Sequence, residues 1–212
     1  MIDTAIKNIF CVGRNYARHA RELGNALPQA PLFFSKPTHA FIEAGGGPVT
    51  LPGGRGRLHY EAEWVVRIGR PPAPGMAAEA LIDGMALGID FTLRDIQSEL
   101  KQKGYPWLEA KGFVHSAVVT PFITFPGTTA CYRSDFTLTI NGREVQRGNI
   151  AHMIFTPQAL IDYCRVHFGL GPGDLIFTGT PEGVGQTADG DVFQLKWGNR
   201  PLGSFTAQLI AR

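Results

Sequence analysis

The chain has 212 residues, enough for one core or one core with a small appendage, and its 44% apolar content excludes a disordered polymer. Twenty basic against 18 acidic side chains leave a net charge of +2, too weak a field to recruit nucleic acid or an anionic membrane. Cys11, Cys131 and Cys164 are odd in number and form no CxxC pair, which argues for inert core thiols in a reducing, cytoplasmic setting. No apolar run approaches the ~18 residues of a membrane helix. The opening MIDTAIKNIF lacks a signal peptide's apolar region, so a cytoplasmic protein is expected, and with the weak net charge neither a membrane nor a nucleic-acid partner is expected.

In chain order, Ile9 to Val12 reads as a buried strand ending at Gly13, and Asn15 to Gly24 as a helix that Asn15 caps and Gly24 stops. PLFFSKP is a second strand. Ala44 to Arg57 is a glycine-rich loop around a brief strand, and LHYEAEWVVRIGR a strand to about Ile68. Residues 77–83 form a helical turn. Met85 to Phe91 is strand-like, and Thr92 is placed to cap a helix from Leu93 to Lys103. Asn141-Gly142, between the alternating Phe136, Leu138 and Ile140 and the run after it, signals a type I′ hairpin. A helix follows from Pro157, then the strand DLIFTG running into a glycine-rich turn, then DVFQLKW and GSFTAQLIA. Strands outnumber helices without regular alternation, which predicts an α+β fold with antiparallel or mixed sheet.

Chemistry concentrates at a few positions. Glu61 and Glu63, two apart in a strand, share a face, where like charges repel unless something offsets them. Two carboxylates pointing to solvent from an edge strand fit the pattern equally well. A hard divalent cation, Mg²⁺, Mn²⁺ or Ca²⁺, is the other reading, with Asp90 as third oxygen ligand because it sits in the apolar run MALGIDFTL. Arg94, four residues on, could instead pair Asp90 as a simple ion pair. His19 and Glu22 share a helix face and can activate a water, although interleaved Arg18 and Arg21 also suit an ordinary charged surface helix. Arg94 and Gln97 are an anion clamp or a polar helix face. Lys111, among apolar residues in WLEAKGF, is an oxyanion stabiliser, a Schiff-base nucleophile or a snorkelling lysine. The glycines and Thr180 hydroxyl of GTPEGVG can offer donors to a carboxylate.

CVGRNYARHARELGN, HYEAEWVVRIG, GIDFTLRDIQSELKQKGYPWLEAKGF and GDLIFTGTPEGVG, in this order, resemble the fumarylacetoacetate hydrolase family over nearly the whole chain. The likeness is greatest to short single-domain members that act on acylpyruvates or decarboxylate oxaloacetate. The resemblance implies one catalytic domain over 1–212, a mixed β-sandwich roll with few helices, residues 14–25 as a lid helix, and a homodimer. It implies Mg²⁺ or Mn²⁺ on Glu61, Glu63 and Asp90, a His19–Glu22 base pair, Lys111 beside an enolate, and substrate contacts from Arg14, Arg94, Gln97, Gly179 and Thr180. The expected activity is hydrolysis of the C–C bond of acylpyruvate-like 2,4-dioxo acids. Oxaloacetate decarboxylation, or isomerisation or decarboxylation of an aromatic-catabolic intermediate, is the alternative within the family; a non-catalytic metal-stabilised domain that binds small acids is the alternative outside it. Val114 departs from the family pattern in a loop expected near substrate.

Overall fold

The computed structural model describes residues 5–211. Strands and helices follow in the order β1 (Ile9–Gly13), α1 (Ala17–Glu22), β2 (Leu32–Lys36), β3 (Phe41–Glu43), β4 (Gly45–Gly53), β5 (Leu58–Tyr60), β6 (Ala62–Ile68), α2 (Ala78–Leu81), β7 (Ile82–Asp90), β8 (Thr92–Leu93), α3 (Arg94–Lys103) and α4 (Leu108–Lys111). They continue with β9 (Ala117–Val119), β10 (Ile123–Thr124), α5 (Thr128–Tyr132), β11 (Phe136–Ile140), β12 (Arg143–Gly148), α6 (Pro157–His167), β13 (Leu175–Phe177), β14 (Gly185–Gln186), β15 (Val192–Trp197) and β16 (Arg200–Ala211). An eight-stranded mixed sheet runs β2-β1-β13-β6-β7-β9-β3, with β10 added to β7. A five-stranded sheet runs β12-β11-β15-β16-β4, and a small sheet β14-β5-β8 links the two regions. The α+β class and the mixed sheets with few helices are as the sequence predicts.

Alternation along β6 and β13 divides the large sheet's side chains. Val65, Leu175 and Phe177 join Ile9 and Cys11 on one face. Ala62, Trp64, Val66 and Ile176 enter the larger core on the other. That core is closed by the second sheet, where Phe193 and Phe205 stack at 4.6 Å and Phe91 meets Phe193 edge-on at 5.8 Å. Trp64 is fully buried there and its Nε1 donates to the Met85 sulfur at 3.4 Å, so it packs on the face away from Glu63. All three cysteines are buried and free, and burial pushes the Cys131 and Cys164 thiols up to about 12.

Several local expectations change. Asn15 does not cap α1, whose N-cap is Tyr16, because its side chain is engaged elsewhere. Gly24, at φ +65°, does end that helix: its N–H donates to Arg21 and that of Asn25 to Ala20, a Schellman pair. Thr92 does not cap α3, since its hydroxyl turns back to the Asp90 carbonyl at 3.3 Å. The glycine-rich loop at 44–57 contains the nine-residue β4, parallel to β16 at the sheet edge, where Pro48 and Pro52 are tolerated. The Asn141-Gly142 hairpin forms as read, with φ of 52° and 79°.

Gly88 lies opposite Glu63 in the β6–β7 register. A Cβ there would fall 2.6 Å from Phe177 and 2.9 Å from Val65. Gly88→Ala is therefore expected to destabilise the protein by about 1–3 kcal/mol through overpacking. Thermal melting checks this, and an unaltered melting temperature counts against it.

Candidate active site

The small linking sheet hands the chain to the large one between Tyr60 and Ala62, and Glu61 sits at that junction, outside either strand. Glu63 points from β6 and Asp90 ends β7, tied to the junction by its N–H donating to the Glu61 carbonyl at 2.8 Å. One oxygen from each of the three carboxylates lies within 4.8 Å of the others, and all three side chains are buried. Convergence at a strand junction, more than simple alternation, brings Glu61 and Glu63 together.

Three cations hold this cluster from its flanks. Lys111, from α4, donates from Nζ to Glu61 Oε2 at 2.8 Å and Asp90 Oδ2 at 2.6 Å. Lys36, at the end of β2, places Nζ 2.7 Å from Asp90 Oδ1 and donates to the Phe91 and Lys111 carbonyls. Arg94 Nη2 donates to Glu61 Oε1, and its Nη1 donates to Gln97 at 2.7 Å. Arg94 thus pairs with Glu61, and the lysines take Asp90. Lys36 is absent from the sequence reading, although its signal, a lone lysine closing an apolar run, is the one that marks Lys111.

These contacts set the charges. Burial works against the Glu61 carboxylate, but Lys111 and Arg94 outweigh it and hold its pKa below the ordinary range. Burial, then Asp90 and Glu61, push Glu63 well above that range, and the Gly179 N–H at 2.7 Å opposes this only in part. Lys111 is buried, yet Asp90 and Glu61 raise its pKa, so it stays an ammonium at neutral pH. That state does not suit a Schiff-base nucleophile.

Behind the carboxylates, β13 runs into the loop Thr178–Thr180. Gly179, at φ +101°, packs against Asn15, and its N–H serves Glu63. The carboxylate met by this glycine is thus the protein's own. Thr180 lines the pocket, but its hydroxyl donates to the Ala62 carbonyl at 2.8 Å and accepts from Gln146 at 2.9 Å. Gln146 also accepts from the Ala62 N–H at 2.9 Å, which anchors the start of β6. Asn15 donates to the Thr178 carbonyl at 2.8 Å and accepts from the Phe155 N–H at 2.8 Å. Both side chains are buried fasteners that the sequence reading does not assign.

The helix α1 closes one side. His19 lines the pocket and is buried, with Nδ1 3.1 Å from Glu22 Oε2. The other Glu22 oxygen accepts the Gly183 N–H at 3.0 Å. Clamped at both oxygens, Glu22 fixes the imidazole; donation from Nδ1 leaves Nε2 as the basic nitrogen. Arg14 and Lys101 complete the rim with Arg94 and Gln97. Val114 is half-exposed and does not line this pocket.

His59 supports the site from outside. Its Nδ1 accepts from Arg94 Nε at 3.5 Å, and burial, then Arg94 and Arg57, lower its pKa from 6.5 to about 4. An unfolded chain takes up this proton as pH falls through 6.5, while the folded chain resists until about 4. This histidine's contribution to stability is therefore lost across that window on acidification. A His59→Gln variant is expected to show a flatter fall in melting temperature between these pH values; a parallel fall in both proteins counts against it.

The donor set fits a divalent cation. Glu63 accepts only a backbone N–H among the described contacts, and Asp90 Oδ1, although beside Lys36, receives no directed hydrogen bond. Buried, crowded carboxylate oxygens of this kind suit Mg²⁺ or Mn²⁺.

Residues 8–210 match the model of the fumarylacetoacetate hydrolase C-terminal family. The chain belongs to this family. The solved structure of fumarylpyruvate hydrolase from Pseudomonas aeruginosa in complex with Mn²⁺ and pyruvate superposes with a TM-score of 0.88 at 35% identity, covering 97% of this chain and 91% of that one. Mitochondrial oxaloacetate tautomerase from Bos taurus is 40% identical over 190 residues, 89% of this chain and 86% of the relative. Mitochondrial oxaloacetate decarboxylase from Dictyostelium discoideum is 37% identical over 190 residues, 89% of this chain and 87% of the relative. Family membership makes this chain a metal-associated enzyme of small oxo acids. The relatives named for oxaloacetate favour the alternative reading over acylpyruvate hydrolysis.

Proposed function

We propose that the chain is a divalent-metal-dependent oxaloacetate tautomerase that interconverts enol and keto forms, with decarboxylation as a slower reaction of the same site. The observation that carries this reading is the presence of His19, held by Glu22, on the pocket that contains Glu61, Glu63 and Asp90. Held on these three carboxylates, Mg²⁺ or Mn²⁺ supplies Lewis-acid withdrawal of electrons from a 2-oxo acid. Lys111 keeps a positive charge beside the place where the substrate's 2-oxygen becomes negative. Arg94 and Gln97 orient the 1-carboxylate. His19 Nε2 carries the proton between the 2-oxygen side and C3, and Glu22 holds the ring through Nδ1. Residues 14–25 act as the lid that shields this transfer from water.

Loss of the ultraviolet absorbance of enol-oxaloacetate, followed with Mn²⁺ and then with EDTA, tests the reading. Turnover that survives the chelator sinks the metal role. A second reading, hydrolysis of an acylpyruvate, draws on the same His19–Glu22 pair with a water in place of the substrate proton, and on the likeness to fumarylpyruvate hydrolase. Pyruvate release from fumarylpyruvate faster than enol-oxaloacetate conversion would place it first.

A further inference from the structure

The three carboxylates are matched by Lys36, Lys111 and Arg94, yet two more cations face the same pocket. Arg14 and Lys101 line it, and among the described residues neither pairs with a carboxylate. The Lys101 Nζ donates to Asn25 Oδ1 at 3.3 Å, just beyond the end of α1. Arg14 holds an uncommon left-handed backbone, φ +60°, in a non-glycine residue. Its neighbour Asn15 is anchored by side-chain bonds to the Thr178 carbonyl and the Phe155 N–H. Arg14, Arg94 and Lys101 line the same pocket, and burial, then Arg14 and Arg94, lower the pKa of Lys101. Unmatched cations held together beside an oxo-acid site call for an anion that the protein does not supply.

We propose that Arg14 and Lys101 receive the second carboxylate of a dicarboxylic 2-oxo acid, and that this hold favours proton transfer over loss of CO₂. The proposal rests on the oxaloacetate reading above. In tautomerisation the 4-carboxylate keeps its charge: a proton leaves the enol oxygen and one is added at C3, with nothing oxidised or reduced. In decarboxylation the C3–C4 bond breaks, neutral CO₂ departs, and the electron pair passes toward the 2-oxygen until C3 takes a proton. Cations on the 4-carboxylate stabilise the starting charge and not the departing CO₂, so they raise the second barrier and leave the first nearly untouched.

Calorimetry on the Mn²⁺-loaded protein with malate and with lactate, which differ by one carboxylate, reads the site without turnover. Wild type is expected to prefer malate, and in Lys101→Gln the malate-to-lactate affinity ratio falls about tenfold, the worth of one charge-assisted hydrogen bond. Lys101→Arg should restore the ratio. On oxaloacetate, Lys101→Gln should release a larger share of product as CO₂. Lys101 is an exposed helix residue, so these variants leave the core intact. No malate preference in wild type, an unaltered ratio in Lys101→Gln, or a smaller CO₂ share overturns the proposal. A wild type inert toward oxaloacetate would refute the tautomerase reading and the CO₂ claim with it, while the malate-to-lactate ratio still decides the carboxylate site.

Discussion

Glu63→Gln is expected to lower oxaloacetate turnover on the order of 10³-fold, because a Lewis-acid site contributes several kcal/mol to the transition state and each 1.36 kcal/mol is tenfold. The same substitution should raise the melting temperature of the metal-free protein. Burial, then Asp90 and Glu61, push the Glu63 pKa up; its charge therefore destabilises the folded chain when no cation is bound. Glutamine keeps the shape and can still accept the Gly179 N–H, while removing that repulsion. Added Mn²⁺ stabilises a folded state that binds it, so wild type should gain several degrees and the variant little. Melts with and without Mn²⁺, beside a steady-state assay, give all three numbers. Equal Mn²⁺ stabilisation of variant and wild type would remove Glu63 from the ligand set.

His19→Asn separates proton transfer from metal binding. Loss of a positioned base costs ~10²–10⁴ in rate. The carboxylate cluster does not depend on His19 for any hydrogen bond, so the Mn²⁺-dependent rise in melting temperature should persist. Glu22→Gln should show a milder rate defect, since it leaves the imidazole in place but weakens the grip on Nδ1 and alters the partner of Gly183. A His19→Asn protein that turns over enol-oxaloacetate at the wild-type rate would move the base elsewhere in the pocket. One that loses Mn²⁺ stabilisation would show that α1 shapes the metal site directly.

Some of this architecture is legible in the chain because the signal is local. The Asn141-Gly142 turn needs only its two residues, and Asp90 stands out because a lone acid in MALGIDFTL must find a partner nearby. Gln146 and Asn15 cannot be read this way. Gln146 fastens Ala62 from 84 positions away, and Asn15 reaches Phe155 across 140, so their roles exist only after the strands assemble. Asn15 also shows how a local rule fails: a residue well suited to cap a helix is drawn off by buried carbonyls that pay more in desolvation if left unpaired. The glycine-rich segment 44–57 reads as a loop around a brief strand, and the full nine-residue length of β4 stays hidden because it lies at a sheet edge, where pairing to β16 decides the conformation and apolar alternation is not required.

The position of β13 has a consequence for how the protein is made. Leu175–Phe177 pairs with β1 on one side and β6 on the other, so the middle of the large sheet is supplied by residues far downstream of both neighbours. During synthesis at about 5–20 residues per second, on the order of ten seconds separate Ile68 from Phe177. Throughout that interval β1 and β6 each leave a strand edge unpaired, the kind of edge that recruits other chains. A ribosome stalled before Leu175 would therefore release two open half-sheets in place of a weakened enzyme. The residues that close the gap lead straight to the Gly179 N–H that donates to Glu63, so that contact forms only in a chain whose sheet is complete.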